Sequence, residues 1–210
     1  MYKDFKLLIV PEYRDKTIVR YNYINRNEIY KMSEERINWE DCNDTIRIVT
    51  VARLCKAKGY ELAIQAAKNL KVKNINFKWH FIGDGDYKHY LLQLISHNDL
   101  NSFVFVEGGQ INPYKYMKNA DIYVQTSLHE GWCLTLQEAR ILNKPIVTTN
   151  FPTAYEQIKN EETGLIVEKD PEKIADAIIR LIEDKNLGDK FINNLKEENK
   201  RALSEDKIEF

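Results

Sequence analysis

Apolar runs of strand length that alternate with helix-length amphipathic segments predict an α/β fold: a parallel sheet with helices on both faces. Two further observations support this class. The connections between segments are short, and the run at residues 46–52 is rich in β-branched side chains. The chain has 210 residues, enough for one sizeable domain or one domain with appendages. Its 43% hydrophobic and 30% charged content is a globular mix rather than a disordered one.

The first 40 residues read differently from the rest. Residues 17–20 suit a short strand, Tyr21-Asn22-Tyr23-Ile24-Asn25 a loop, and residues 27–36 a short charged helix, with little apolar content for a core. From Thr45 the pattern becomes regular. A strand at 46–52 leads to an amphipathic helix at 58–70 with Leu62, Ala63, Ala66, Ala67 and Leu70 on one side. A second strand at 76–82 ends in Gly83-Asp84-Gly85 and precedes a helix at 87–96 striped by Tyr90, Leu91, Leu94 and Ile95. A third strand at 102–106, a short helix at 113–117 entered through Asn112, and a strand at 121–126 follow. Next come a helix at 135–142, a strand at 145–149, a brief helix at 154–158 and an edge strand at 164–167. The helix at 171–183 opens with Asp170 and Pro171, a proline placed where no amide donor is needed. A charged helix at 187–203 closes the chain, with Phe191, Ile192 and Leu195 as a thin apolar stripe.

Charge and cysteine usage exclude several function classes. With 31 basic and 32 acidic residues the net charge is −1, so nothing draws the chain globally to nucleic acid, and any phosphate site must be local. Cys42, Cys55 and Cys133 form no close pair; neither a zinc knuckle nor a disulfide framework is expected, and a reducing cytoplasm is the simplest location. The apolar run at residues 7–10 is too short for a signal-peptide core, and no run approaches the ~18 apolar residues of a membrane span. Peripheral contact with the inner face of a membrane stays open.

Open parallel sheets bind ligands at the carboxyl ends of their strands. Three strand exits should therefore share one rim. The first carries Arg53 and Lys58; taken alone they read as solvated cations, but a second anion-binding feature on the rim favours a phosphate between them. The second is Gly83-Asp84-Gly85-Asp86, read as a tight turn in which Asp86 caps the next helix rather than as a metal site. The third is His129-Glu130-Gly131-Trp132-Cys133-Leu134-Thr135, running into Leu136-Gln137-Glu138. Here a glycine beside a helix N-terminus offers an anion site, and Glu130 and Glu138 offer acceptors for hydroxyl groups. Thr135 and Glu138 also fit a capping box, which leaves a structural reading of Glu138 open. His129 reads as structural.

In order and spacing these motifs resemble the retaining, nucleotide-sugar-dependent glycosyltransferases of the GT-B architecture, family 4 in particular. The resemblance runs over about residues 45–184 through Arg53, Lys58-Gly59, Gly83-Asp84-Gly85, Asp121, Ser127, Glu130-Gly131, Glu138-Ala139 and Thr163-Gly164. It implies the Rossmann-like C-terminal half of such an enzyme. Arg53 and Lys58 would hold the donor diphosphate, and Glu130 the donor sugar. Gly131, Trp132, Cys133, Leu134 and Thr135 would lie beside sugar and phosphate, and Glu138 would bond the ribose. Gly83, Gly109, Gln110 and Ile111 would line the nucleobase, with no metal and no cofactor. Uridine diphosphate sugars are the default donors, and a saccharide or lipid-linked acceptor would come through an N-terminal domain.

On this reading residues 1–40 are an interdomain arm or the remnant of that other domain, 41–185 the donor domain, and 186–210 a helix that returns toward the missing half. The alternatives are a non-catalytic α/β interaction module and a nucleotide-sugar epimerase of the same architecture. A metal-dependent transferase using Asp84 and Asp86 ranks last, because the acidic turn alone is a weak signal.

Overall fold

The computed structural model describes residues 24–37, 39 and 44–205. The strand expected at 17–20, the segment Tyr21-Asn22-Tyr23 and Cys42 lie outside the described residues. Six parallel strands form one sheet: β1 (Ile46–Val51), β2 (Phe77–Ile82), β3 (Val104–Gly108), β4 (Ile122–Gln125), β5 (Ile146–Thr149) and β6 (Leu165–Val167). Their spatial order is β3-β2-β1-β4-β5-β6. The order reverses direction between β1 and β4, where Ile48 pairs with Ile122 and Val49 with Tyr123. That is a topological switch point, the place in an open α/β sheet where two successive connections leave on opposite sides and open a crevice.

Alternation along the strands feeds two cores. From β1, Ile48 points to the core under α2 (Tyr60–Val72), α3 (Lys88–His97) and α7 (Pro171–Glu183), with Ile64, Trp79, Phe81, Leu91 and Ile178. Val49 and Val51 point to the other face, where α1 (Arg26–Ser33), α4 (Tyr114–Asn119), α5 (Leu134–Ile141) and the short α6 (Ala154–Gln157) bring Ile29, Met117, Leu136 and Ala154. Burial on both faces explains the near-continuous apolar runs in the sequence. Thr50 is wholly buried yet satisfied: its hydroxyl donates to the Val124 carbonyl at 2.7 Å and accepts from Trp79 Nε1 at 3.0 Å. A long helix, α8 (Lys185–Glu205), closes the fold with Leu187, Phe191 and Leu195 buried in an i, i+4 row.

The helix at 171–183 has the expected N-terminus, with Asp170 accepting from the Glu172 and Lys173 amides at 2.8 and 3.1 Å. Three other helix starts differ from the sequence expectation. Lys58 does not open a helix; Lys56–Lys58 form a 3-10 turn, and Gly59 in the left-handed region starts α2 at Tyr60. Asp86 caps nothing, since α3 begins at Lys88 after Tyr87. The capping box at Thr135 does not form either. The helix starts at Leu134 with Cys133 as its N-cap, two residues before the expected cap, which places Glu138 on its fifth position, beyond the reach of a third-position acid to the cap amide.

Candidate functional site

The exits of β1 and β4 are stitched to each other. The Leu128 amide donates to the Ala57 carbonyl at 2.9 Å, and the Thr126 hydroxyl donates to the Lys58 carbonyl at 3.0 Å. This contact requires Gly59: a Cβ there would sit 2.1 Å from the Thr126 carbonyl oxygen, and its φ of +64° already disfavours a side chain. The two loops hold Lys58 Nζ 2.5 Å from Glu130 Oε1. Glu130 is only 9% exposed, and the same oxygen accepts from the Ser127 hydroxyl at 2.6 Å.

Behind this pair runs a buried relay of polar side chains. Gln125 donates to Ser127 Oγ, Tyr123 donates to Gln125, and Thr149 donates to the Ser127 carbonyl at 2.6 Å. Glu130 is thus fixed by groups from β1, β4 and β5, which an exposed loop acid would not be. Arg53 is exposed just beyond the end of β1 and makes no hydrogen bond or ion pair with the described residues.

The following turn presents Gly131, where a Cβ would meet nothing within 4 Å. Cys133 faces inward at 2% exposure, and burial first, then the Glu130 charge, pushes its thiol up to about 11. With its amide oriented by these partners, Gln157 of α6 accepts from the Cys133 N–H at 3.2 Å and donates to its carbonyl at 2.9 Å. Of the amides expected beside the sugar, that of Cys133 is therefore held by the protein. Leu134 is 37% exposed, and the Thr135 hydroxyl lies 3.5 Å from Cys133 Sγ. Trp132 is half-buried and His129 is exposed.

Glu138 sits a turn further on. Burial raises its carboxyl above the ordinary 4.5, and a hydrogen bond from Tyr114 partly offsets the rise. That bond, from Tyr114 Oη to Glu138 Oε1, measures 3.1 Å. Burial, followed by the Glu138 charge, pushes the Tyr114 phenol up to about 12.

The β2 and β3 exits meet on the far side of β1. The Gly83 amide donates to the Gly108 carbonyl at 2.9 Å, and Gly109 packs against Asp84. Gly83 is required by the fold itself, because a Cβ would lie 1.9 Å from the Ala52 carbonyl oxygen at the end of β1. Gln110 donates to the Glu107 carbonyl at 2.9 Å, and Ile111 is 99% exposed. Asp84 accepts from the Gly85 amide at 2.8 Å and faces Lys88 at 4.0 Å, which is the behaviour of a turn. Among the described residues, no group of three or more His, Cys, Asp or Glu side chains could hold a metal ion.

The structure therefore brings Lys58, Glu130 and the turn from Gly131 together at the switch point, with Arg53 at the same strand end. It places Gly83 and Gly109 beside each other one strand away, and Glu138 along α5. Sequence reasoning missed Tyr114, Thr149 and Gln157. Only proximity in the fold identifies them, since each lies on an element distant in sequence from the residue it holds.

Comparison with known proteins bears on the family and the fold. The family described as "Glycosyl transferases group 1" matches over residues 32–198. The N-acetylgalactosamine-N,N'-diacetylbacillosaminyl-diphospho-undecaprenol 4-alpha-N-acetylgalactosaminyltransferase of Campylobacter jejuni is 31% identical over 195 residues, 92% of this chain and 51% of that protein. Among solved structures, Anabaena HepE in complex with UDP and glucose superposes with a TM-score of 0.76 at 21% identity, covering 90% of this chain and 53% of that one. The C-terminal domain of a glycosyl transferase group 1 family protein from Francisella tularensis superposes with a TM-score of 0.63 at 26% identity, covering 83% of this chain and 91% of that one. The chain spans about half the length of the curated relatives it matches. With the six-stranded parallel sheet and the family match over most of its length, this chain belongs to the group 1 glycosyl transferases, enzymes of GT-B architecture.

Proposed function

We propose that this chain is the donor-binding half of a retaining glycosyltransferase of the family 4 type. The full enzyme would pass a sugar from a nucleotide diphosphate sugar to a saccharide or lipid-linked acceptor, in the synthesis of a cell-surface polysaccharide or glycan. One observation carries the reading: Lys58 and Glu130 meet at 2.5 Å across the β1–β4 switch point, the crevice where such a sheet binds its ligand. UDP is the nucleotide assigned, because HepE is described in complex with UDP and with UDP-glucose. The acceptor class follows the Campylobacter relative, whose name specifies a diphospho-undecaprenol sugar.

In the proposed mechanism the leaving group is the nucleoside diphosphate, on which negative charge builds as the glycosidic bond breaks. Lys58, held by Glu130, supplies preorganised positive charge where that charge develops, and the exposed Arg53 adds a second cation that the diphosphate itself would order. Glu130, fixed on one oxygen by Lys58 and Ser127, offers its other oxygen to donor-sugar hydroxyls. Gly131 leaves room for the sugar to approach the backbone. The proposal assigns no metal and no cofactor to the site. Acceptor positioning falls to a partner domain over the rim, where Ile111, Leu134 and Leu128 are exposed apolar side chains.

Calorimetric titration of the 210-residue chain with UDP and the other nucleoside diphosphates tests the reading. Weak, saturable binding of at least one is expected. A folded sample that gives no heat with any of them overturns it. Product analysis on the longer enzyme separates a transferase from an epimerase of the same architecture.

A further inference from the structure

Glu138 is not occupied as a helix cap, and its carboxylate is held in an asymmetric way. Oε1 accepts from Tyr114 Oη at 3.1 Å, while Oε2 has no partner among the described residues. The carboxylate borders a cleft of about 140 Å³ that is also walled by Glu28 and Ile29 of α1, Tyr114 of α4 and Leu134 of α5. Tyr114 is itself fixed. Its amide donates to Asn112 Oδ1 at 3.1 Å, and Asn112, only 8% exposed, donates in turn to the Met32 carbonyl and to Glu35 Oε2, both at 2.8 Å. An unbroken run of hydrogen bonds thus links the end of α1 to the orientation of one carboxylate on α5.

A glutamate side chain has three rotatable bonds, and holding one oxygen removes most of that freedom before a ligand arrives. From this arrangement we infer that Tyr114 is a positioning residue: it pins Glu138 Oε1 so that Oε2 is presented to the ribose hydroxyls of the nucleotide. The inference rests on the donor-site reading above and adds to it a residue on another element. Two acceptor oxygens with only one of them engaged also suit a neutral diol better than a cation. A diol donates hydrogen bonds and tolerates the neighbouring Glu28, whereas a third ligand for a metal is absent among the described residues.

The test compares affinity for UDP with affinity for 2′,3′-dideoxyuridine diphosphate, a ratio that reads recognition of the ribose hydroxyls and cancels the diphosphate and base. Tyr114→Phe keeps the ring and removes only the hydroxyl. It is expected to lower the ratio about fivefold while leaving affinity for the dideoxy compound unchanged. In a double-mutant cycle, Tyr114→Phe should change nothing further once Glu138→Gln is present, because the two act through one contact. A ratio unchanged in Tyr114→Phe, or effects that simply multiply in the double variant, overturns the inference and leaves the donor site standing. A loss of affinity equal for both nucleotides also overturns it, since that marks a general packing defect. An unmodified chain that binds no nucleoside diphosphate removes the donor reading and this inference together.

Discussion

At the scale of single residues, the two candidate-site glutamates differ in which partners occupy each carboxylate. Glu130 and Glu138 are alike in sequence and opposite in environment. Glu130 lies against a lysine and a hydroxyl, while Glu138 is half-buried with a phenol as its one hydrogen-bond donor among the described residues. Burial raises the Glu138 carboxyl, so the folded state favours its protonated form. The protonated form therefore contributes stability that is present at acid pH and lost as pH rises through the raised folded value. Glu138→Gln removes that cost and should raise stability more near pH 8, where the folded carboxyl is ionised, than near pH 4. The same variant should weaken nucleotide binding. Urea unfolding at the two pH values, with binding measured alongside, checks both signs; a loss of stability near pH 8 would contradict the account.

At the scale of elements, the loops after β1, β2 and β4 are built around glycines that do different work. Gly83 lets the β2 exit cross the β1 exit, since a Cβ would come within 1.9 Å of the Ala52 carbonyl oxygen, and backbone does not yield as a side chain does. Gly131 has nothing within 4 Å of its missing Cβ, so the protein does not need it for packing. Gly83→Ala should cost about 3 kcal/mol or more, measured by chemical denaturation, whatever ligand is present. Gly131→Ala should leave the unfolding midpoint unchanged and lower affinity for the intact nucleotide sugar more than for the free diphosphate. If the two substitutions instead behave alike, the contrast drawn between a packing glycine and a site glycine is wrong.

At the scale of the whole molecule, the terminal helices converge on the far end of the site helix α5. Asn199 of α8, 8% exposed, donates to the Arg140 and Ile141 carbonyls at 3.0 and 3.2 Å and to Asn143 Oδ1 at 2.8 Å. Its own oxygen accepts from Arg26 of α1 at 2.7 Å, and Tyr30 of α1 donates to the Ile141 carbonyl at 3.0 Å. These carbonyls belong to the last turn of α5, where the Arg140 carbonyl also accepts from the Asn143 amide at 2.9 Å and the Ile141 carbonyl depends on side chains from α1 and α8. One helix from each end of the described chain thus closes the end of α5 opposite the turn from Gly131. Asn199→Ala should destabilise the fold by about 2 kcal/mol, because Arg26 loses its acceptor and Asn143 Oδ1 its donor while the α5 carbonyls lose a shared one. Amide exchange should locate the loosening in α5 and α8, while a uniform loss across the sheet would argue against this picture.

The α/β class was legible in the sequence because both faces of the sheet are buried, which turns each strand into a recognisable apolar run such as residues 46–51. Arg53, Lys58, Glu130 and Glu138 were also singled out from their spacing, since strand exits in such a fold fall on one rim. Helix starts at 58, 87 and 135 were misjudged because capping patterns are local, whereas the close approach of Gly59 to Thr126 and the reach of Tyr114 to Glu138 are not. Those contacts join residues far apart in the chain, and the adjacency of β1 and β4 that creates them follows from strand order. The sequence by itself determined the fold class and the chemical types available at the strand ends. Only the tertiary structure decided which oxygen of each carboxylate is held and which has no partner among the described residues, because that depends on side chains brought together from separate elements.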